Sequence, residues 1–180
     1  MDVFAVLVGI AELLLAFGLG LVTVWLAFRS FARLTRELNE LDELKRNNVA
    51  MGVLLASIVL STALVVRTAI YPSVSTWQSL IHRGFSSGDL FYSLGITLFS
   101  FFFSAMIALA GIWSALRIFL RLTGEVDELL EISRSNTAVA IVLGSLIVVM
   151  GLFLSHGVQS LLTAIIPMPA FERIQVMGMP

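Results

Sequence analysis

Residues 49–71 read VAMGVLLASIVLSTALVVRTAIY, with a single charge, Arg67, in the whole stretch. A transmembrane helix needs about 20 mostly apolar residues to cross the hydrocarbon core, and this run has that length. Three further stretches match it: Val3 to Phe28, Leu90 to Leu116 and Ala138 to Ile166. The sequence therefore reads as an all-α, polytopic membrane protein of four transmembrane helices. Composition agrees. The 180 residues are 58% hydrophobic and 13% charged, where soluble domains carry roughly 25% charge, so lipid must solvate most of the surface. The first stretch reads as a retained span rather than a cleaved signal, since no Lys or Arg precedes it and Arg29 follows directly.

Sliding the sequence against itself brings out a repeat at an offset of 88, with Trp25 matching Trp113, Arg29 matching Arg117, Glu43 matching Glu131 and Asn48 matching Asn136. There are 18 identities over positions 21 to 64, where this composition would give about 4 by accident. The expected organisation is two tandem helix-hairpin units, 1–88 and 89–180, entering the membrane in the same sense about a pseudo-twofold axis along its normal. Arg29, Arg33, Arg36, Lys45 and Arg46 crowd the first hairpin connection, and Arg117, Arg121 and Arg134 the second. Both connections are therefore expected in the cytoplasm, with the termini and the 72–88 loop outside the cell (inner) membrane.

In the connections, Phe31, Leu34, Leu38, Leu41 and Leu44, and likewise Phe119, Leu122, Val126, Leu129 and Ile132, recur every three or four residues. Charges fill the other faces, so both connections read as amphipathic helix, a surface on which a cytoplasmic protein partner fits. After Pro72, the residues Val74, Trp77, Leu80 and Ile81 suggest a short interfacial turn.

Glu43-Leu44-Lys45-Arg46-Asn47-Asn48-Val49-Ala50 and Glu131-Ile132-Ser133-Arg134-Ser135-Asn136-Thr137-Ala138 resemble the signature of the YjfL-like bacterial inner-membrane proteins, a family of unknown function. The resemblance implies paired helix-hairpin units in which an acidic amphipathic stretch leads to Asn-x-Ala at the mouth of the next span. It implies no activity. The alanine and glycine run that usually follows is kept only in part, as Gly52 and Ala56 or Ala140 and Gly144.

Small residues line each span, Ala5, Gly9, Ala16 and Gly20 in the first and Ala140, Gly144, Gly151 and Ser155 in the fourth. Helix packing explains such faces, and a small-residue pore lining is the alternative. Asn48 and Asn136 open the second and fourth spans, where capping accounts for both and a polar ring at a cytoplasmic mouth is the sharper reading. Glu37, Glu40, Glu43, Glu125, Glu128 and Glu131 form acidic faces that gather cations at that mouth or, more commonly, pair with their own arginines. His156 is expected as a hydrogen-bonded structural residue, and Phe99, Phe101, Phe102 and Phe103 as a lipid or subunit contact.

Two charges stand inside the spans, Glu12 and Arg67. Intramembrane charges are costly and usually paired, so an ion pair is expected between them, against the alternative that Arg67 snorkels outward and Glu12 bonds a serine. Ser100 and Ser155 stand at the equivalent places of the second unit, so the pair belongs to one half only.

No cysteine is present and only His82 and His156 among histidines, which leaves no basis for a metal site, a thiol nucleophile or a cofactor. A net charge of −1 without a basic patch argues against nucleic acid. No Ser-His-Asp set or phosphate loop is present, and no enzymatic activity is expected. The remaining expectation is a homo-oligomeric structural or accessory subunit of a membrane assembly, with a small oligomeric ion channel as the alternative.

Overall fold

The computed structural model describes residues 3–34, 40–83, 87–122 and 127–166, and all regular structure among them is helical. In lipid every backbone N–H and C=O must be satisfied within its own segment, so long apolar runs become helices. Helix α1 (Val3–Leu34) is followed by the short α2 (Glu40–Lys45) and then α3 (Val49–Val66). A 3₁₀ turn (Arg67–Ala69) leads into α4 (Ile70–Arg83). Helix α5 (Ser87–Leu122), the short α6 (Glu128–Ser133) and α7 (Thr137–Ile165) complete the order. Four helices are long and apolar enough to cross a membrane, so the chain is a multi-pass membrane protein.

The region after Pro72 departs from the sequence reading. It is a 14-residue helix, not a short interfacial turn or a loop. Pro72 sits in the first turn of α4, where its missing N–H has no intrahelical partner to lose. The strain that its ring places on the preceding turn is taken up by the 3₁₀ segment. Hydroxyls then satisfy local carbonyls, Thr68 donating to Val65 O at 2.7 Å and Ser73 to Ala69 O at 2.7 Å. Trp77 is buried and donates through Nε1 to Thr97 Oγ1 at 3.1 Å, which fastens α4 to α5.

The bundle is organised around α3 and α7. Asn48 Nδ2 donates to Ile132 O at 2.9 Å, near the start of α7, and farther along both helices Ser61 Oγ donates to Ile147 O at 2.9 Å. Positions advance together on both helices, so α3 and α7 run parallel. The seam is tight because it is built on glycine. A Cβ at Gly151 would stand 3.1 Å from the Ser61 Cα, and one at Gly144 would stand 3.1 Å from the Ser57 Cβ, each colliding with the serine hydroxyl. Interhelical approach of this kind is how helices associate without a hydrophobic driving force between them. Helix α5 packs on α3, α4 and α7, while α1 packs on α3, α4 and α5.

The small-residue faces behave unequally. On α7, Ala140, Gly144, Gly151 and Ser155 are buried, but on α1 Ala16 is exposed and Gly9, Gly18 and Gly20 would each meet nothing within 4 Å of an added Cβ. Packing inside the bundle therefore does not explain the α1 face.

Candidate functional site: a charged cleft beside a 3₁₀ turn

The two hairpin junctions come first, because they set the register of the bundle. Asn47 has φ 59° and Ser135 φ 65°. These left-handed residues end α2 and α6, with Asn48 N–H donating to Glu43 O at 3.1 Å and Asn136 N–H to Glu131 O at 3.0 Å. This is a helix C-cap of the Schellman kind. The next residue at once caps the following helix: Asn48 Oδ1 accepts from Met51 N–H at 3.1 Å, and Asn136 Oδ1 from Val139 N–H at 3.4 Å. Each asparagine also donates from Nδ2 to the glutamate five positions back, Glu43 or Glu131, both at 2.9 Å.

Only Asn48 reaches across the bundle, to Ile132 O and Ser133 O. It is 4% exposed with its amide committed to these partners, so it ties the start of α3 to α6. Glu131 is held below the usual carboxylate range by the Asn136 amide and then by Arg134, whose guanidinium stands 3.2 Å away. Upstream of each junction an arginine stacks on a tryptophan, Arg29 over Trp25 at 5.4 Å and Arg117 over Trp113 at 4.6 Å.

Of the acidic faces, Glu43 and Glu131 pair with Arg46 and Arg134 as a solvated helix face would. Glu128 does not. It is 4% exposed, and its Oε1 has no hydrogen-bond partner among the described residues. The reason lies in packing, since α6 rests on both α3 and α7 whereas α2 rests on α3. Leu41, expected on the apolar face, is exposed. Glu37 and Glu125 lie outside the described residues, as does the side chain of Glu40.

Glu12 and Arg67 line one cavity of about 210 Å³. Its walls come from α1, the end of α3, the 3₁₀ turn, α4 and α5, with Leu15, Leu19, Val66, Ile70 and Phe101 among the apolar side chains that line it. Arg67 and Ile70 on one side and Ala16 and Gly20 on the other are exposed, so the cavity is a cleft that opens sideways between helices. No ion pair within 4.0 Å joins Glu12 to Arg67 among the described residues. The cleft also has a hydroxyl edge of Thr23, Ser73 and Thr97. The helix tightens at the cleft, because Arg67 opens the 3₁₀ turn.

Part of this site escapes a reading by small residues alone. Ser93, Thr97, Ser100 and Ser104 are all buried along α5, and their spacing of four, three and four marks a polar helix face that packs inward. Phe101 is likewise buried and lines the cleft, while Phe99 and Phe102 face outward, so the aromatic set is divided between core and surface. His156 is exposed and, among the described residues, has no hydrogen bond. Its neighbour Ser155 takes the inward position and turns the histidine ring out. No group of three His, Asp or Glu that could hold a metal occurs among the described residues.

Comparison with curated proteins and with solved structures gave no match. A family model does match, over residues 5–103, and its description is Domain of Unknown Function (DUF350). The match takes in nearly all of α1, the first junction, the 3₁₀ turn, both charged residues of the cleft and the first part of α5. A chain whose first span pair, first junction and cleft lie in a match that covers more than half of it belongs to the DUF350 family of uncharacterised domains.

Proposed function

We propose that the chain is a non-enzymatic, multi-pass subunit of a membrane assembly that works by associating with copies of itself. The basic residues at both junctions support a cytoplasmic position for them in the cell (inner) membrane. The two halves are read as parallel copies of one hairpin. Supporting this, the cap bonds, the left-handed residues and the Trp–Arg stacks recur at the 88-residue offset, and α3 runs parallel to α7. Kinship with the YjfL-like proteins is proposed on the same junction residues.

One observation carries the association: residues buried in one half are exposed at the equivalent places of the other. Phe101 and Ala105 of α5 are 2% and 3% exposed, but Leu13 and Phe17 of α1 are 68% and 67% exposed. Leu54 and Val65 of α3 are fully buried, while Val142 and Phe153 of α7 are exposed. About a twofold axis, the place that α5 takes beside α3 has a counterpart beside α7 that α1 does not fill. A second copy laying its α1 there, and receiving the same in return, forms an isologous pair. Mass measurement in mild detergent should give a dimer or a multiple of it, and monomer alone at every concentration would contradict the reading.

A second reading, a small permeation protein, draws support from the two charges held in the cleft beside the 3₁₀ turn. Against it, the α3–α7 seam is closed at Gly144 and Gly151, where an added Cβ would meet Ser57 and Ser61. Selective ion flux in liposomes containing the purified protein would favour permeation over association alone.

A further inference from the structure

The cleft presents an arginine from the 3₁₀ turn and a glutamate from α1, and no ion pair within 4.0 Å joins them. Arg67 is exposed at the mouth and Glu12 is half-buried on α1. The other polar donors around them are committed: Thr23 Oγ1 to Leu19 O at 2.8 Å, Ser73 Oγ to Ala69 O at 2.7 Å, Thr97 Oγ1 to Ser93 O at 2.8 Å and Trp77 Nε1 to Thr97. Apolar side chains make up the rest of the wall. A site with one cationic fork, one carboxylate and a long apolar wall, open sideways to the bilayer, selects an amphiphile that carries both charges on its head.

We propose that this cleft binds a zwitterionic aminophospholipid of the phosphatidylethanolamine type. Its phosphate takes the planar donor fork of Arg67, which suits phosphate oxygens better than a point charge does. Its primary ammonium donates N–H bonds to the Glu12 carboxylate, and one acyl chain lies along Leu15, Leu19 and Phe101. The headgroup chemistry is selective. A choline head offers a cation with no N–H to donate, and a glycerol head offers no cation at all. The second half has serines at both equivalent positions, Ser100 and Ser155, so the protein holds one such site per chain. The inference rests on the membrane-embedded fold and not on self-association.

The test is native mass spectrometry of the full chain in mild detergent, offered equal amounts of phosphatidylethanolamine, phosphatidylglycerol and phosphatidylcholine. One phosphatidylethanolamine should stay bound per chain, preferred about tenfold over the other two, which corresponds to about 1.4 kcal/mol. Glu12→Gln should reduce the ethanolamine lipid to the level of the choline lipid. Arg67→Gln should remove the retained phospholipid of every head type, and Arg67→Lys should restore it in part. Equal retention of all three lipids by the wild type would overturn the proposal. So would unchanged ethanolamine preference in Glu12→Gln, a near-isosteric variant that answers the question even where Arg67→Gln does not fold. A charge pair that closes directly on itself would show as no retained lipid in the wild type, which also overturns it. Because a dimer mass is scored separately from a lipid adduct, either proposal can fail without the other.

Discussion

At Asn48 the side-chain amide caps α3, holds Glu43 and crosses to Ile132 O and Ser133 O, whereas at Asn136, 88 positions on, the same amide caps α7 and holds Glu131. The junctions share one local design, and only the first also joins the halves. The spans before them diverge further. Helix α5 buries Phe101, Ser104, Ala105, Ala108, Ile112 and Leu116, but α1 buries only Thr23, Ala27 and Phe31 among its described residues. Local hydrogen bonding is dictated by nearby sequence and repeats wherever that sequence repeats. Packing depends on what lies across the bundle, and there α1 and α5 have different neighbours.

Substitutions at glycine should expose this difference most strongly. Gly151→Val places branched carbon against the Ser61 backbone and should destabilise the fold by about 1–3 kcal/mol or more, as overpacking of a rigid contact does. Gly18→Val, in open space on α1, should change thermal stability by less than about 0.5 kcal/mol. Comparable damage from both would show that α1 is packed as tightly as α7.

The junctions give the next largest effect. Asn48→Ala removes a cap and strips a donor from buried carbonyls, at about 2–3 kcal/mol, while Asn136→Ala removes a cap and a half-buried contact to Glu131, at about 1 kcal/mol. Chemical or thermal unfolding in detergent measures both. Equal losses would mean that the cross-bundle bonds of Asn48 contribute nothing.

How much of this is legible in sequence follows from the range of each interaction. The four spans, the caps at Asn48 and Asn136 and the placing of Glu12 and Arg67 inside spans depend on neighbours a few residues away, and residue type reveals them. The helix through Pro72 is hidden because a proline reads as a boundary unless the preceding turn is known to tighten. The inward turn of Glu128 is hidden for another reason: it is set by the packing of α6 on α3 and α7, which residues near it in sequence do not reveal. The cleft belongs to five separate segments, so its charges are visible in sequence and its shape is not.

Smaller effects sharpen the comparison of the junctions. Ser135 holds a left-handed conformation that asparagine tolerates better, so Ser135→Asn, which copies Asn47, should stabilise by about 0.5 kcal/mol, seen as a modest rise in Tm. The weakest effect is that of pH. With its folded pKa held down by Asn136 and Arg134, Glu131 contributes stability that is present above the ordinary carboxylate value, about 4.3, and is lost as pH falls through the lowered one. Asn136→Ala should blunt this acid sensitivity in unfolding measured across that range.

The account stands or falls on where the uncovered face of α1 goes, and the absence of cysteine from the chain makes this directly measurable. Ala27 packs in the same core cluster as Met51, whose 88-offset equivalent is Val139. Phe17 and Val149 lie equally far along α1 and α7 from that level, and both are exposed. Phe17→Cys combined with Val149→Cys, oxidised in native membranes, should give a covalent dimer on a non-reducing gel, while either single variant should not. No dimer from the double variant, or dimer in equal yield from a single one, would contradict the claim that α1 of one copy completes the packing around α7 of another.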